Sequence, residues 1–173
     1  MNDVLEILKY VVPSLVVFAT AYLLIAKMLE NEQRKRRNEL VIANKKMITP
    51  IRLQAYERLV LFLERISPNS LIMRLQSGNM TAKQMQAEML ATIRAEYDHN
   101  VSQQIYVSSK AWKIIRSARE NLVKMINTAA DNVKDDAPAM ELSKILLELL
   151  MKLEMSPTDA AIEVIKNEVR QYY

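Results

Sequence analysis

The most prominent hydrophobic pattern is an uncharged run at residues 10–26, YVVPSLVVFATAYLLIA, bracketed by Lys9 and Lys27. As a helix this run extends about 25 Å, and flanking apolar residues bring it to the roughly 30 Å of a bilayer core. A buried helix of a soluble protein is the alternative, but such a helix normally carries a polar stripe, and this run is apolar on every side. The pattern predicts a transmembrane anchor over residues 1–29, with Ser14 and Thr20 bonded back to carbonyls of their own helix.

Residues 30–49 contain neither glycine nor proline, so the helix is predicted to continue beyond the anchor as a stalk. The stalk is predicted to end at Thr49-Pro50, because a residue that precedes proline is disfavoured in the α region. Four consecutive cations in the stalk either attract anionic lipid headgroups or only fix the orientation of the span. These headgroup candidates are Arg34, Lys35, Arg36 and Arg37.

Beyond the stalk, apolar residues recur at helical spacing, and no segment shows the period-two alternation of a strand. Thr81 followed by Gln84 has the form of a capping box, and Ser156-Pro157 marks another helix start. The fold class predicted is therefore all-α, with a transmembrane helix, a stalk and a cytoplasmic helical bundle over residues 50–173. The predicted helices are 51–66, 70–75, 81–100, 109–133, 139–153 and 156–173, with residues 101–107 left ambiguous between a turn of helix and an extended bridge.

Charge is distributed unevenly along the chain, whose formal net charge is +4. Residues 27–46 hold seven basic and three acidic side chains, while residues 47–173 hold 16 and 15. Basic residues beside a span stay on the cytoplasmic side, which predicts that the N-terminus lies outside the cell and the C-terminal domain inside. Because positive charge follows the apolar run, the run is predicted to be an anchor rather than a cleaved signal peptide.

Candidate chemistry is sparse in the sequence. The chain has no cysteine, one histidine and one glycine, which excludes disulfides, thiolate metal sites and a glycine-rich phosphate loop. Glu96 and His99 have the Glu-x-x-His spacing of di-iron bundles, but a second such motif is missing. General acid–base catalysis by Glu96, Asp98 and His99 is a further alternative, and the ordinary interpretation is a helix end. We therefore expect a non-enzymatic protein with no cofactor and no metal.

The best candidate for a partner-binding surface is the helix over residues 51–66, which is apolar on more than one side. Trp112 is either a core residue, which is favoured, or an anchor for a partner. Arg119 lies on an apolar stripe and is expected to reach solvent or an acidic partner. Methionines are expected to fill the core: Met80, Met85, Met89, Met125, Met140, Met151 and Met155. The partner-binding candidates are Arg52, Tyr56, Arg58, Phe62, Arg65 and Trp112.

Two stretches, RLQAYERLVLFLERISP at residues 52–68 and EYDHNVSQQIYVSSKAW at residues 96–112, stand behind a single apolar span. Together they resemble a family of small membrane-anchored helical proteins of the Bacteroidota to which no function is assigned. The resemblance implies a bacterial inner-membrane protein of unknown function, and it supplies no catalytic residue.

The function expected from these features is that of a membrane-anchored scaffold or adaptor. Its cytoplasmic domain would dock onto a larger inner-membrane complex or onto a second copy of the chain, with the lipid bilayer as a further partner. The alternative is an RNA- or ribosome-binding protein that uses the basic stalk and the cations of the fourth helix. The near-neutral charge of residues 47–173 makes nucleic acid the less favoured partner.

Overall fold

The computed structural model describes residues 2–76 and 78–171, and this part of the chain is all-helical. Within the same residues, Thr81 and Pro138 form an isolated antiparallel β-bridge. The α-helices are α1 (Asn2–Ile66), α2 (Pro68–Leu75), α3 (Ala82–Asn100), α4 (Ser109–Ala130), α5 (Ala139–Met151) and α6 (Pro157–Arg170), with a 3-10 helix at Val101–Ile105.

Helix α1 continues through Pro50, so the predicted break at Thr49-Pro50 is wrong. Proline fixes φ near the helical value, and its cost of about 3 kcal/mol lies in one missing hydrogen bond and a clash with the preceding turn. The hydrogen bonds of the other turns of this helix of 65 residues offset that local cost. By their internal contacts, Met1–Thr49 and Pro50–Tyr173 nevertheless form two separate compact units.

Side-chain caps set the starts of α2, α3, α4 and α6 in the second unit. The hydroxyls of Ser67, Thr81, Ser108 and Ser156 each accept a hydrogen bond from a backbone N–H in the first turn of the following helix. Thr81 and Gln84 complete the predicted capping box. These caps confirm the helix starts predicted near residues 81, 109 and 156. Such starts can be predicted because a cap depends only on residues that are close in sequence.

Some boundaries differ from the predicted ones. Helix α4 ends at Ala130 rather than at residue 133, since tight bonds such as Asn132 N–H to the Ala129 carbonyl (3.2 Å) turn the chain there. Helix α5 ends at Met151 rather than at residue 153, and the ambiguous residues form the 3-10 helix. Gly78 and Asn79 form a turn, as predicted for that loop, while Ser77 and the last two residues lie outside the described residues.

The core of the second unit is one cluster of buried apolar side chains. Helix α4 packs against α3, α5 and α6, and α3 also packs against α5. The last turns of α1 belong to the same cluster. The fully buried large side chains are Leu59, Phe62, Leu63, Ile66, Leu71, Met85, Met89, Ile93, Ile115, Leu122, Ile126 and Leu142.

Candidate functional site

The predicted partner-binding residues on α1 point in different directions. Tyr56 and Phe62 are 4% and 1% exposed and belong to the core of the bundle. Arg58 is exposed, and Arg52 is half-buried. The chain itself covers Tyr56 and Phe62, so neither aromatic side chain is accessible to a partner.

Tyr56 joins three separate parts of the bundle through Glu168 of α6. The Tyr56 hydroxyl donates to one carboxylate oxygen of Glu168, and the Ser108 hydroxyl donates to the other at 2.6 Å. The backbone N–H of Ser108 also donates to the carboxylate, at 3.2 Å. Arg52 donates to the Tyr56 hydroxyl at 3.4 Å and to the Tyr106 carbonyl at 3.0 Å. This Glu168 network ties α1, the start of α4 and α6 together.

The network shifts the pKa values of its two central groups. Burial, reinforced by the hydrogen bond to Glu168, raises the pKa of Tyr56 to about 12. Burial alone would raise the pKa of Glu168, but the hydrogen bonds from Ser108 and Tyr56 outweigh it, so that pKa lies below its usual range. At neutral pH the carboxylate is charged and the phenol is neutral, which is the pairing that the hydrogen bonds require.

Tyr97 is the centre of an aromatic group between α3 and α4. Its ring lies 6.1 Å from the Phe62 ring and stacks on Trp112 at 5.8 Å with an interplanar angle of 28°. The Arg119 guanidinium lies 4.0 Å from the ring centroid, a cation–π contact. Arg119 therefore finds an aromatic face, in addition to a Glu120 carboxylate at 3.9 Å. Trp112 is half-buried against the core.

Glu96 and His99 have different surroundings in the structure. The Glu96 carboxylate, 16% exposed, forms ion pairs with Arg65 at 3.1 Å and with Arg74 at 3.7 Å. His99 and Asp98 are exposed. Within residues 2–76 and 78–171, no group of three His, Cys, Asp or Glu side chains could hold a metal ion. Glu96 thus links α1, α2 and α3 through ion pairs.

The four basic stalk residues divide into two kinds. Arg34 pairs with Glu30 at 2.7 Å and Arg36 with Glu32 at 2.9 Å, each along the same exposed helix. Lys35 and Arg37 are exposed, and neither has an ion pair within the described part of the chain. Two of the four cations are therefore available for an anionic surface without the loss of an existing pair.

Helix α1 is the one described helix that is long and apolar enough to cross a membrane. An 18-residue window within Pro13–Ile66 has a mean hydropathy of 1.5, and none of the window is buried. The Ser14 hydroxyl donates to the Val11 carbonyl at 2.8 Å, and the Thr20 hydroxyl donates to the Val16 carbonyl. Both hydroxyls are satisfied within the helix, as the sequence predicts.

The methionines confirm the core interpretation in part. Met85 and Met89 are fully buried, whereas Met140, Met151 and Met155 are 62%, 84% and 52% exposed. The prediction that these last three methionines fill the core is wrong. Met155 lies in the turn that joins α5 to α6, where the ends of two helices leave apolar side chains uncovered.

That turn borders a groove that sequence reasoning missed. Glu64 of α1, the end of α5, residues 153–156 and the start of α6 line an open groove of about 450 Å³. Its apolar side chains are Leu150, Leu153, Met155 and Ile162. The run ILLELLMKL at residues 145–153, with charged residues at only two positions, was the available sequence signal.

The described part of the chain is all-helical and has one candidate membrane span. Comparison with known proteins identifies its family. DUF7935, a family of unknown function, matches residues 2–172. The chain belongs to this family. No curated protein and no solved structure matches the chain.

Proposed function

We propose that this protein is a membrane-anchored docking subunit of a bacterial inner membrane, with its N-terminus outside and its helical bundle in the cytoplasm. The bundle would bind a larger membrane complex or a second copy of the chain, in keeping with the resemblance to membrane-anchored proteins of the Bacteroidota. No catalytic step is part of the proposal.

One observation carries the proposal: a single helix supplies both the exposed apolar span and part of the bundle core. The apolar window of α1 has no cover from the chain itself, and Tyr56, Leu59 and Phe62 of the same helix are buried in the core. Apolar surface left bare over so many turns is stable in a bilayer, not in water. The arrangement supports a protein whose task is to hold a folded domain at a membrane.

The orientation can be tested because the chain contains no cysteine. We expect Asn2→Cys to react with a membrane-impermeant maleimide on intact spheroplasts, and Lys144→Cys, on the exposed side of α5, to react only after permeabilisation. The unchanged chain is the blank. Labelling of Lys144→Cys on intact spheroplasts would refute the orientation.

Docking is tested by purification of the tagged chain from native membranes in mild detergent, followed by mass measurement. A defined assembly larger than one protomer is expected, and it should be absent for a chain shortened after Thr49, which keeps the span and the basic stalk. A lone full-length protomer, or equal recovery of partners by the shortened chain, would contradict the proposal.

The same preparation tests RNA or ribosome binding. Such binding would need phosphate contacts from free cations, and its affinity would fall steeply with salt. Arg34 and Arg36 already pair with carboxylates, so that of the four stalk cations only Lys35 and Arg37 lack an ion pair within the described residues, which favours docking to protein. Salt-sensitive RNA recovered with the full chain would reverse that preference.

A further inference from the structure

The groove between the end of α5 and the start of α6 exposes apolar surface in a concentrated form. Leu153 and Met155 are 44% and 52% exposed, and Met151 just before them is 84% exposed. Ile162, 4% exposed, and half-buried Leu150 line its inner side. Methionine side chains adapt to different partners at low cost, which suits a surface that binds helices.

Carboxylates surround this apolar surface. Glu64, Glu154, Asp159 and Glu163 line the groove together with one cation, Lys166. Lys166 pairs with Glu163 at 2.9 Å. The other three carboxylates are exposed and have no ion pair within the part of the chain that the structure describes. The rim therefore attracts cations and repels anionic lipid headgroups and phosphates.

The walls of the groove favour a helical ligand over an extended one. Six of the ten lining residues belong to helices α1, α5 and α6, whose backbone groups are bonded within each helix, and the other four form the turn at residues 153–156. An extended peptide would gain no main-chain hydrogen bonds from these helices, because their N–H and C=O groups are already bonded. A helix satisfies its own backbone and presents only side chains to the groove.

We infer that this groove is the docking site of a basic amphipathic helix of a partner protein. Leucine-sized side chains of that helix fill the space over Leu150, Leu153 and Met155, and its lysines or arginines meet Glu64, Glu154 and Asp159. The inference rests on the proposed docking function and names its surface and the chemistry of the partner.

The probe is a Leu/Lys peptide of about 18 residues, long enough to be helical, with leucines at helical spacing. It is titrated into the full-length protein in phosphatidylcholine nanodiscs, with empty nanodiscs as the blank for binding to lipid. A Leu/Glu peptide of the same pattern and a Leu/Lys peptide with a central proline are the comparison ligands. We expect saturable binding of the first peptide, and binding at least about tenfold weaker for the other two.

Two variants locate the site. The double change Glu64→Gln and Glu154→Gln should weaken binding about five- to tenfold, as expected for the loss of two exposed charge contacts. The matched control, Glu88→Gln with Asp131→Asn, removes two exposed carboxylates that do not line the groove and should leave binding unchanged. Leu153→Ser, at an exposed position, should weaken binding without loss of the fold, which circular dichroism verifies.

Equal affinities of the groove double variant and its control would overturn the inference, as would equal binding of the Leu/Glu peptide. The outcomes separate from those of the docking proposal. If native assemblies survive the groove changes, docking stands and this groove is not its site. If the peptide binds as expected but native membranes yield a lone protomer, the groove stands and the docking function fails.

Discussion

Glu168 is the residue whose replacement tests the bundle most directly. Its carboxylate accepts one hydrogen bond from Tyr56 and two from Ser108, and the Tyr56 side chain belongs to a residue that is only 4% exposed. A hydrogen bond to a charged group contributes about 1.5–3 kcal/mol, and a buried donor left without a partner costs about 1–3 kcal/mol. For Glu168→Ala we therefore expect the free energy of unfolding to fall by about 2–4 kcal/mol.

The matched control lies on the same helix. Glu163 pairs with Lys166 in an exposed ion pair, and Glu163→Ala should change the free energy of unfolding by no more than about 1 kcal/mol. The assay is urea unfolding of the full chain in mild detergent, read by pulse proteolysis of the unfolded fraction. A double-mutant cycle of Tyr56→Phe with Glu168→Gln should give a coupling energy of about 1–2 kcal/mol. Equal losses for Glu168→Ala and Glu163→Ala, or zero coupling, would refute the reasoning.

Three further outcomes are expected from the same assay. The pKa of Tyr56 is raised to about 12, so the unfolded chain loses this proton before the folded chain does as pH rises above 10. The free energy of unfolding should therefore fall by up to ~1.4 kcal/mol per pH unit up to pH 12. Tyr56→Phe should lack this contribution. Leu122→Ala opens a cavity at a fully buried position of α4 and should cost about 2–5 kcal/mol; a smaller change than 1 kcal/mol would contradict the core assignment. Arg119→Gln removes a cation–π contact and should lower the free energy of unfolding by about 1 kcal/mol. Arg116→Gln, which removes an exposed ion pair, should have a smaller effect. The reverse order would contradict a stabilising contact between Arg119 and Tyr97.

The sequence predicts the helices well because their start signals are local. A capping box at Thr81 and a serine-proline start at Ser156 need only neighbours within a few residues, and both helices begin there. The prediction of a break at Pro50 is wrong because it also rests on a local signal. The preference of a residue before proline is local, while the continuity of α1 is decided by many more turns on either side.

The candidate site was harder to predict because it depends on contacts between distant residues. Glu168 meets Tyr56 across 112 positions and Ser108 across 60, and no local pattern marks such a pair. The wide apolar face of residues 51–66 was visible, but not which of its sides the bundle covers. The bundle covers the side with Tyr56 and Phe62 and leaves Leu61, 55% exposed, in solvent.

The stacking of Trp112 on Tyr97 makes the protein its own optical probe. Trp112 is the single tryptophan of the chain; it belongs to α4, stacks on Tyr97 of α3 and lies outside the apolar span. Its emission therefore reports on the bundle alone, even in membranes or detergent. Separation of α3 from α4 should shift the emission to longer wavelength as the indole meets water. Unfolding of the bundle can then be followed in the unlabelled protein.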